Sequence, residues 1–173
     1  MTIAELLADA FGRIRDAVHE AVDGLTPGQL AFRPDNGSNS IAWLVWHLTR
    51  IQDDHIADVA GTGQVWTAGA SGSTWADRFG LPFAASATGY GHGSEAVAAV
   101  QVRSGELLTG YYDAVHQETL DYVQGLADAD LDAVVDKAWD PPVTLGVRLV
   151  SVISDDLQHA GQAAYLRGII ERG

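Results

Sequence analysis

A carboxylate and an imidazole lie one helical turn apart in an otherwise apolar segment near the end of the chain. Asp155 and His159 would therefore share one face of a helix, with their side chains about 6 Å apart. Charged groups are costly to bury unless they are paired or bound to a metal, and this spacing occurs where one helix gives two ligands to one ion. The alternative is that Asp155 only hydrogen-bonds His159 or faces solvent.

A third candidate ligand is His47, which follows the apolar run Trp43–Trp46 in a predicted helix. A single histidine in such a place is also typical of a core residue whose nitrogens are satisfied by neighbours. Asp54 points in nearly the same direction around the helix and is a competing partner. His55 is rotated by about 80° from His47, so we expect it to support the ligands or the structure rather than to bind the metal. The other histidines have no comparable neighbours in the sequence: His19, His92 and His116.

Two imidazoles and one carboxylate around a divalent ion leave an open coordination position, which is typical of catalytic rather than structural zinc. The site would deprotonate a bound thiol, so a thiolate nucleophile would be available although the chain has no cysteine. A metal-bound water that hydrolyses a substrate is the rival chemistry. Asp156 and Gln162 are candidates to orient the ligands through hydrogen bonds.

Apolar residues that recur every three or four positions predict four long helices. Thr2 and Glu5 form a capping-box pattern at the start of the first one. The predicted helices run from Thr2 to Gly24, from Ser38 or Asn39 to Gly61, from Ser94 to about Leu126 with a kink near Gly105 or Gly110, and from about Thr144 to Ile170. Four such helices without repeats or a series of strands predict an all-α, up-down four-helix bundle in one domain, residues 1–173.

Residues 61–93 form a long connection between the second and third predicted helices. The segment is rich in glycine, but it also carries many aromatic residues, which argues against a disordered linker. We therefore expect an ordered excursion packed over one end of the bundle. Within it, Trp75, Arg78 and Phe79 are candidates for the wall of a substrate-binding site.

The composition excludes several classes of protein. Ten Lys and Arg residues against 23 Asp and Glu residues give a net charge of −13, so the chain lacks the clustered positive charge that nucleic-acid binding needs. The absence of cysteine excludes disulfides, thiolate metal ligands and cysteine nucleophiles. No apolar run reaches the roughly 20 residues of a membrane span, and the first residues are typical of a helix rather than a secretory signal. We therefore expect a cytoplasmic protein without membrane association.

The three candidate ligands lie in two segments, Asn39–Leu48 (NSIAWLVWHL) and Asp155–Gln162 (DDLQHAGQ). The first resembles the second-helix motif of the DinB-like superfamily, in which the histidine before leucine is a metal ligand. The second resembles the closing motif of that superfamily, in which a His-x-x-x-His pair precedes Gly-Gln. Asp155 stands where histidine is common, and the mycothiol-dependent maleylpyruvate isomerases of this superfamily have a glutamate there. The resemblance covers the whole chain in length, helix order and motif positions.

The stretch Trp75–Pro82 (WADRFGLP) resembles the mycothiol-using branch of the superfamily. This resemblance implies one divalent ion, zinc by default, on His47, Asp155 and His159, in an S-transferase that conjugates mycothiol to electrophiles in detoxification. A metal-dependent hydrolase or isomerase on the same scaffold stays open, as does a non-catalytic binding or stress-response protein. The metal could also be nickel or iron.

A homodimer is expected from two features. Relatives in this superfamily commonly pair their bundles about a two-fold axis. The chain also has surplus apolar surface near its last helix, at Trp139, Pro141, Pro142 and the end of that helix.

Overall fold

The computed structural model describes residues 1–69 and 72–173, and helices account for most of this part of the chain. Two residues of the predicted 61–93 excursion, Ala70 and Ser71, lie outside the described residues. The helices are α1 (Ile3–Val22), α2 (Pro27–Leu30), α3 (Ile41–Ala60), α4 (Trp75–Phe79), α5 (Ser94–Ala99), α6 (Gly105–Val123) and α7 (Leu145–Ile170). Between α6 and α7 lie a 3-10 turn, Asp128–Asp132, and a small antiparallel pair of strands, β1 (Val134–Asp136) and β2 (Val143–Thr144).

The long helices begin and end close to the positions that their capping residues predict. Thr2 and Glu5 form the expected capping box, with the Glu5 amide donating to the Thr2 hydroxyl at 3.2 Å. The N-cap of α3 is Ser40, slightly later than predicted, and its hydroxyl accepts from the amide three residues on. This helix ends at Gly61, whose φ of 67° is left-handed and suits glycine. The N-cap of α7 is Thr144, so this helix begins close to its predicted start.

The third predicted helix is in fact two helices, α5 and α6, separated by residues 100–104. This segment leaves the helical path and buries Val100 and Val102, which are 1% and 6% exposed. At the start of α6, Gly105 lies so close to the end of α1 that a Cβ there would be 2.6 Å from Cγ1 of Val22. The break therefore lets the chain bury two more valines and lets α6 begin directly against α1.

Four of the helices form the bundle, and α1 and α3 each pack against both α6 and α7. The order around the bundle is thus α1, α6, α3, α7, with α1 and α3 on opposite sides. Large side chains such as Phe11, Trp46 and Tyr111 fill its centre. The predicted all-α four-helix bundle is confirmed. Within the described ranges, no helix is both long and apolar enough to cross a membrane.

The excursion between α3 and α5 is ordered over its described residues, and Arg50 of α3 fastens it. The Arg50 side chain is fully buried, and its guanidinium donates to the carbonyl oxygens of Ala85 and Ala87 at 3.4 and 3.1 Å. It also donates to Oε1 of Gln64 at 3.0 Å and contacts the Asp53 carboxylate at 3.4 Å. One buried cation therefore fixes both the beginning and the end of the excursion against the bundle.

Asp53 completes this buried network from the other side. Its carboxylate accepts from the amides of Val65 and Trp66 at 2.9 and 2.8 Å, and from the hydroxyl of Tyr111 at 2.7 Å. Burial raises the pKa of Asp53, although these hydrogen bonds and the Arg50 charge oppose that effect. A buried ion pair is tolerated when its remaining hydrogen-bonding groups are satisfied, as they are here.

Candidate metal centre

The candidate ligands His47, Asp155 and His159 lie together between the neighbouring helices α3 and α7. One ligand atom from each residue, a ring nitrogen or a carboxylate oxygen, lies within 4.8 Å of the other two. The His47 side chain is buried at 5% exposure, whereas those of His159 and Asp155 are 17% and 32% exposed. The cluster is therefore accessible from the α7 side and closed on the α3 side.

Both histidines direct Nδ1 to a backbone carbonyl group. Nδ1 of His47 lies 2.6 Å from the carbonyl oxygen of Thr88, and Nδ1 of His159 lies 2.8 Å from that of Asp155. Because a carbonyl oxygen only accepts, each Nδ1 carries the proton and each Nε2 has a free lone pair in the neutral ring. Such a hydrogen bond on the second nitrogen is the usual arrangement of a histidine that binds a metal.

The Asp155 carboxylate also has an oxygen available for a ligand. Oδ2 is buried and forms no hydrogen bond with any described residue, although it lies 3.3 Å from Nδ1 of His159. Burial raises the pKa of Asp155, but its contact with His159 and the nearby imidazoles more than offset this and leave the pKa below its usual value. The group is therefore a carboxylate near neutral pH.

The two imidazoles have opposite pKa shifts. Burial lowers the pKa of His47, and the neighbouring His159 adds to this effect. Burial also lowers the pKa of His159, but its contact with the Asp155 carboxylate and its hydrogen bond to the Asp155 carbonyl outweigh the burial and leave the pKa raised. His47 therefore favours the neutral form that binds a cation, whereas at His159 a cation competes with the proton up to a higher pH.

These three residues fit a divalent cation in their donor chemistry. Imidazole nitrogens and a carboxylate oxygen suit zinc, and tetrahedral ligands at a zinc–ligand distance of about 2.0–2.2 Å lie about 3.4 Å from one another. The ligand atoms would need to approach one another by up to about 1.4 Å, which is within the reach of small rotations about their side-chain bonds. Oδ2 of Asp155, which lies 3.3 Å from Nδ1 of His159, and the Nε2 atoms of the two histidines are the donors that such an ion would use.

A tryptophan and a histidine that sequence analysis did not connect to the site lie beside it. Trp43 stacks on His47 with ring centroids 4.6 Å apart, and its indole nitrogen donates to Nδ1 of His92 at 3.3 Å. His92 packs between Trp46 and Phe83 at centroid distances of 5.8 and 4.6 Å. The expectation that His92 lacks partners is therefore wrong. Two of its partners, Trp43 and Trp46, come from α3, far away in the sequence, and no local spacing indicates them.

The end of the excursion closes over His47. After Thr88, whose carbonyl accepts from His47, the chain turns at Gly89 with a φ of 94°. A Cβ at Gly89 would lie 2.7 Å from Nδ1 of His47 and 3.0 Å from the ring of Trp46. Only glycine lets the backbone approach the imidazole this closely.

The residues predicted to orient the ligands occupy different surroundings. The Asp156 carboxyl is fully buried and neither oxygen has a hydrogen-bond partner among the described residues, so burial and Asp155 raise its pKa well above the usual value. Gln162 is exposed and lines a groove beside the cluster. His55 lies outside the cluster, and its Nδ1 accepts from the guanidinium of Arg148 at 3.0 Å. The orienting role proposed for these residues stays a prediction.

The predicted substrate wall packs on a different part of the molecule. Phe79 is buried against Trp66 and Tyr111, with centroid distances of 5.2 and 5.8 Å. The guanidinium of Arg78 lies 3.7 Å from the ring centroid of Trp75, in a cation–π contact. Within the described part of the chain, none of the three predicted wall residues has a hydrogen bond, ion pair or aromatic contact with the candidate ligands. Their role at a substrate site stays a prediction.

Comparison with known proteins gives the family of the chain. The family model described as the DinB superfamily matches residues 10–163, a range that contains all three candidate ligands. A crystal structure described as a conserved protein from Enterococcus faecalis is similar to this chain, with a TM-score of 0.90 and 29% sequence identity. The similarity covers 100% of this chain and 99% of that one. No curated protein matches the chain. On the family match over most of its length, the chain belongs to the DinB superfamily.

Proposed function

We propose that this protein is a metal-dependent S-transferase that conjugates a small thiol, mycothiol, to electrophilic substrates. The observation that carries this proposal is the cluster of His47, Asp155 and His159, in which one potential ligand atom of each residue lies within 4.8 Å of the other two, close to the surface between α3 and α7. Membership of the DinB superfamily supports metal binding at this cluster. The use of a thiol substrate and its transfer to an electrophile go beyond metal binding and are part of this proposal.

His47, Asp155 and His159 would hold the ion, zinc in this proposal. A divalent ion with three protein ligands keeps an open position and lowers the pKa of a thiol bound there, which supplies a thiolate at neutral pH. The chain itself contains no cysteine, so the nucleophilic sulfur must belong to a substrate. The thiol proton leaves to solvent, and the sulfur forms a bond to the electrophilic carbon. That carbon releases its leaving group or, in an addition, passes the electron pair of its double bond to the neighbouring atom, which then takes a proton from solvent.

The protein side chains would orient the reaction and limit access of water. Thr88 fixes the His47 ring through Nδ1, and Trp43 covers the face of that ring. The Asp155 backbone carbonyl fixes His159 in the same way. The open side at Asp155 and His159 leaves room for a thiol and an electrophile to approach.

The experiment compares the wild-type protein with Asp155→Ala and Asp155→His after zinc loading. Mycothiol transfer to a chromogenic aryl chloride is measured against pH, and ester hydrolysis without thiol is measured in parallel. We expect transfer by the wild type. Asp155→Ala should lose most activity, with partial recovery in excess zinc, because a ligand and its negative charge are removed.

Asp155→His should keep the metal and move the acidic limb of the pH profile to lower pH. The added positive charge lowers the pKa of a bound thiol, but a more stabilised thiolate is a poorer nucleophile, so the maximal rate should fall or stay the same. Wild-type rates and pH profiles in both variants would show that this site does not activate the thiol. Hydrolysis without thiol, combined with no transfer, would identify the protein as a hydrolase instead.

A further inference from the structure

Trp43 contacts both histidines of the metal centre. Its indole lies one turn before His47 on α3 and stacks on that imidazole, with 18° between the ring planes and 4.6 Å between the centroids. It also meets the ring of His159 edge-on, with the centroids 6.3 Å apart. The indole is buried and forms a wall that the two imidazoles share, so its orientation affects both of them.

A hydrogen bond to His92 fixes the orientation of this indole. The indole N–H donates to Nδ1 of His92 at 3.3 Å, and because an indole can only donate, this Nδ1 carries no proton. Burial lowers the pKa of His92, which favours the neutral ring that accepts the bond. The other buried indoles, those of Trp46 and Trp66, have no hydrogen-bond partner for their N–H groups among the described residues. The buried indole that has a partner is thus the one that touches the candidate ligands.

The turn that carries His92 also contacts His47 directly. The carbonyl of Thr88 accepts from Nδ1 of His47, and the backbone of Gly89 lies against the same ring. The amide of His92 donates to the carbonyl of Gly89 at 3.1 Å, which closes the turn. The turn therefore constrains the His47 imidazole twice, at its edge through Thr88 and at its face through His92 and Trp43.

We propose that His92 is a positioning residue of the metal centre, which acts through Trp43 to hold the His47 imidazole in the orientation that binds the ion. The proposal rests on the metal binding in the proposed function, but not on the thiol or the transfer reaction. His92 is not a member of the ligand cluster itself. A ring that is already fixed loses less freedom when it binds, so removal of the hydrogen bond to Trp43 lowers the affinity for the metal.

Two substitutions of His92 separate this role from simple packing. His92→Phe keeps an aromatic ring between Trp46 and Phe83 but has no acceptor, whereas His92→Asn loses the ring but places an amide oxygen near the position of Nδ1. Competition with a chelator measures zinc affinity, and urea unfolding measures the stability of the metal-free proteins. We expect His92→Phe to bind zinc about tenfold more weakly with little loss of stability. His92→Asn should be less stable but should stay within about threefold of the wild-type zinc affinity.

A double-mutant cycle tests whether His92 acts through Trp43. Trp43→Phe removes the donor, so adding His92→Phe to it should cause no further loss of zinc affinity. The visible absorption bands of bound cobalt report the arrangement of its ligands, and they should change in His92→Phe but not in His92→Asn. Additive effects in the cycle would overturn the proposal. So would wild-type zinc affinity in His92→Phe, or a loss in His92→Asn as large as that in His92→Phe.

The same measurements distinguish failure of this proposal from failure of the proposed function. If the wild type binds metal and the variants follow the expected order, but no mycothiol is transferred, the transferase function is wrong and the role of His92 stands. If mycothiol is transferred but the His92 variants bind zinc as the wild type does, only the role of His92 is wrong. If the wild type binds neither zinc nor cobalt, both proposals are wrong.

Discussion

Both histidines of the cluster use Nδ1 for a backbone carbonyl, and the carbonyls come from different parts of the fold. His159 uses the carbonyl of Asp155 in its own helix, so its ring orientation is a local property of α7. His47 depends on Thr88, which belongs to the excursion held by Arg50. The orientation of one ligand is therefore set by the helix and that of the other by a long connection.

Replacement of the ligands should remove the metal, whereas replacement of His55 should not. We expect His159→Ala and His47→Ala each to lower zinc stoichiometry well below that of the wild type after dialysis, because each removes one of three ligands. His55→Ala should stay near the wild-type value, because His55 bonds to Arg148 outside the cluster. Elemental analysis of the purified variants is the measurement. Equal metal loss in all three variants would contradict this assignment of ligands.

Gly89→Ala should weaken metal binding more than it weakens the fold. The new Cβ would press on Nδ1 of His47 and displace the ring or the Thr88 carbonyl, so we expect zinc affinity to fall by about tenfold or more. Gly91→Ala is the matched control, since Gly91 has a φ of 75° and open space around its Cβ position. Both variants should lose about 1–2 kcal/mol of stability from the left-handed backbone. A competition titration with a zinc chelator should separate them, and equal affinities would refute the role of Gly89.

At the scale of helices and connections, neighbouring residues in the sequence were sufficient to predict some structural features but not others. The caps at Thr2 and Thr144 and the i, i+4 pair Asp155–His159 depend on neighbouring residues, and the structure agrees with them. The break before α6 and the contact of His92 with Trp43 depend on residues distant in the sequence. The excursion has no periodic apolar pattern, so its path over His47 could not be predicted from spacing.

The approach of α6 to α1 should be sensitive to a single methyl group. Gly105→Ala would force Val22 to move, and Val22 is 2% exposed with little free space, so we expect a loss of about 1–3 kcal/mol of stability. Gly12→Ala in α1 has nothing within 4 Å of the new Cβ and should stabilise the protein by about 0.5–1 kcal/mol. Urea unfolding measures both. A Gly105→Ala protein as stable as the wild type would contradict the close contact.

A polar contact between α1 and α6 should contribute a pH-dependent part of the stability. Asp113 accepts from Arg15 at 2.7 Å and lies 2.8 Å from Nε2 of His19. Burial raises the pKa of Asp113, but its hydrogen bonds to His19 and Arg15 outweigh burial and leave the pKa lowered. The stabilisation is therefore present above the unfolded-state pKa and is lost as pH falls through the lower folded-state pKa.

Asp113→Asn should accordingly be less stable than the wild type near pH 7, by less than about 1 kcal/mol because the contact is partly exposed. The difference should shrink as the pH is lowered below about 4. Urea unfolding of both proteins at several pH values is the measurement, and Asp16→Asn on the exposed side of α1 is the control. A difference that grows toward low pH would show that the sign is wrong.

At the scale of the whole molecule, exposed apolar residues near α7 support the expectation of a homodimer. Trp139 is 66% exposed, and Val147 and Val150 on the outer side of α7 are 57% and 64% exposed. We expect light scattering at micromolar concentration to give twice the monomer mass of 18.3 kDa. Trp139→Glu should shift the mass toward the monomer, because burial of a charge at a self-complementary contact is unfavourable. A monomer mass for the wild type would refute the dimer.

The position of the cluster between α3 and α7 also concerns the unfolded chain. His47 and Asp155 lie in opposite halves of the sequence, and the segments between them include the excursion, α5 and α6. An ion bound by both helices acts as a reversible crosslink that closes a very long loop, and closing such a loop removes conformational freedom that the unfolded polypeptide would otherwise gain. A protein without disulfides could thus obtain from a bound metal ion the kind of chain constraint that secreted proteins obtain from cystines. If the cluster holds an ion, chelation would release that constraint and shorten the lifetime of the folded molecule.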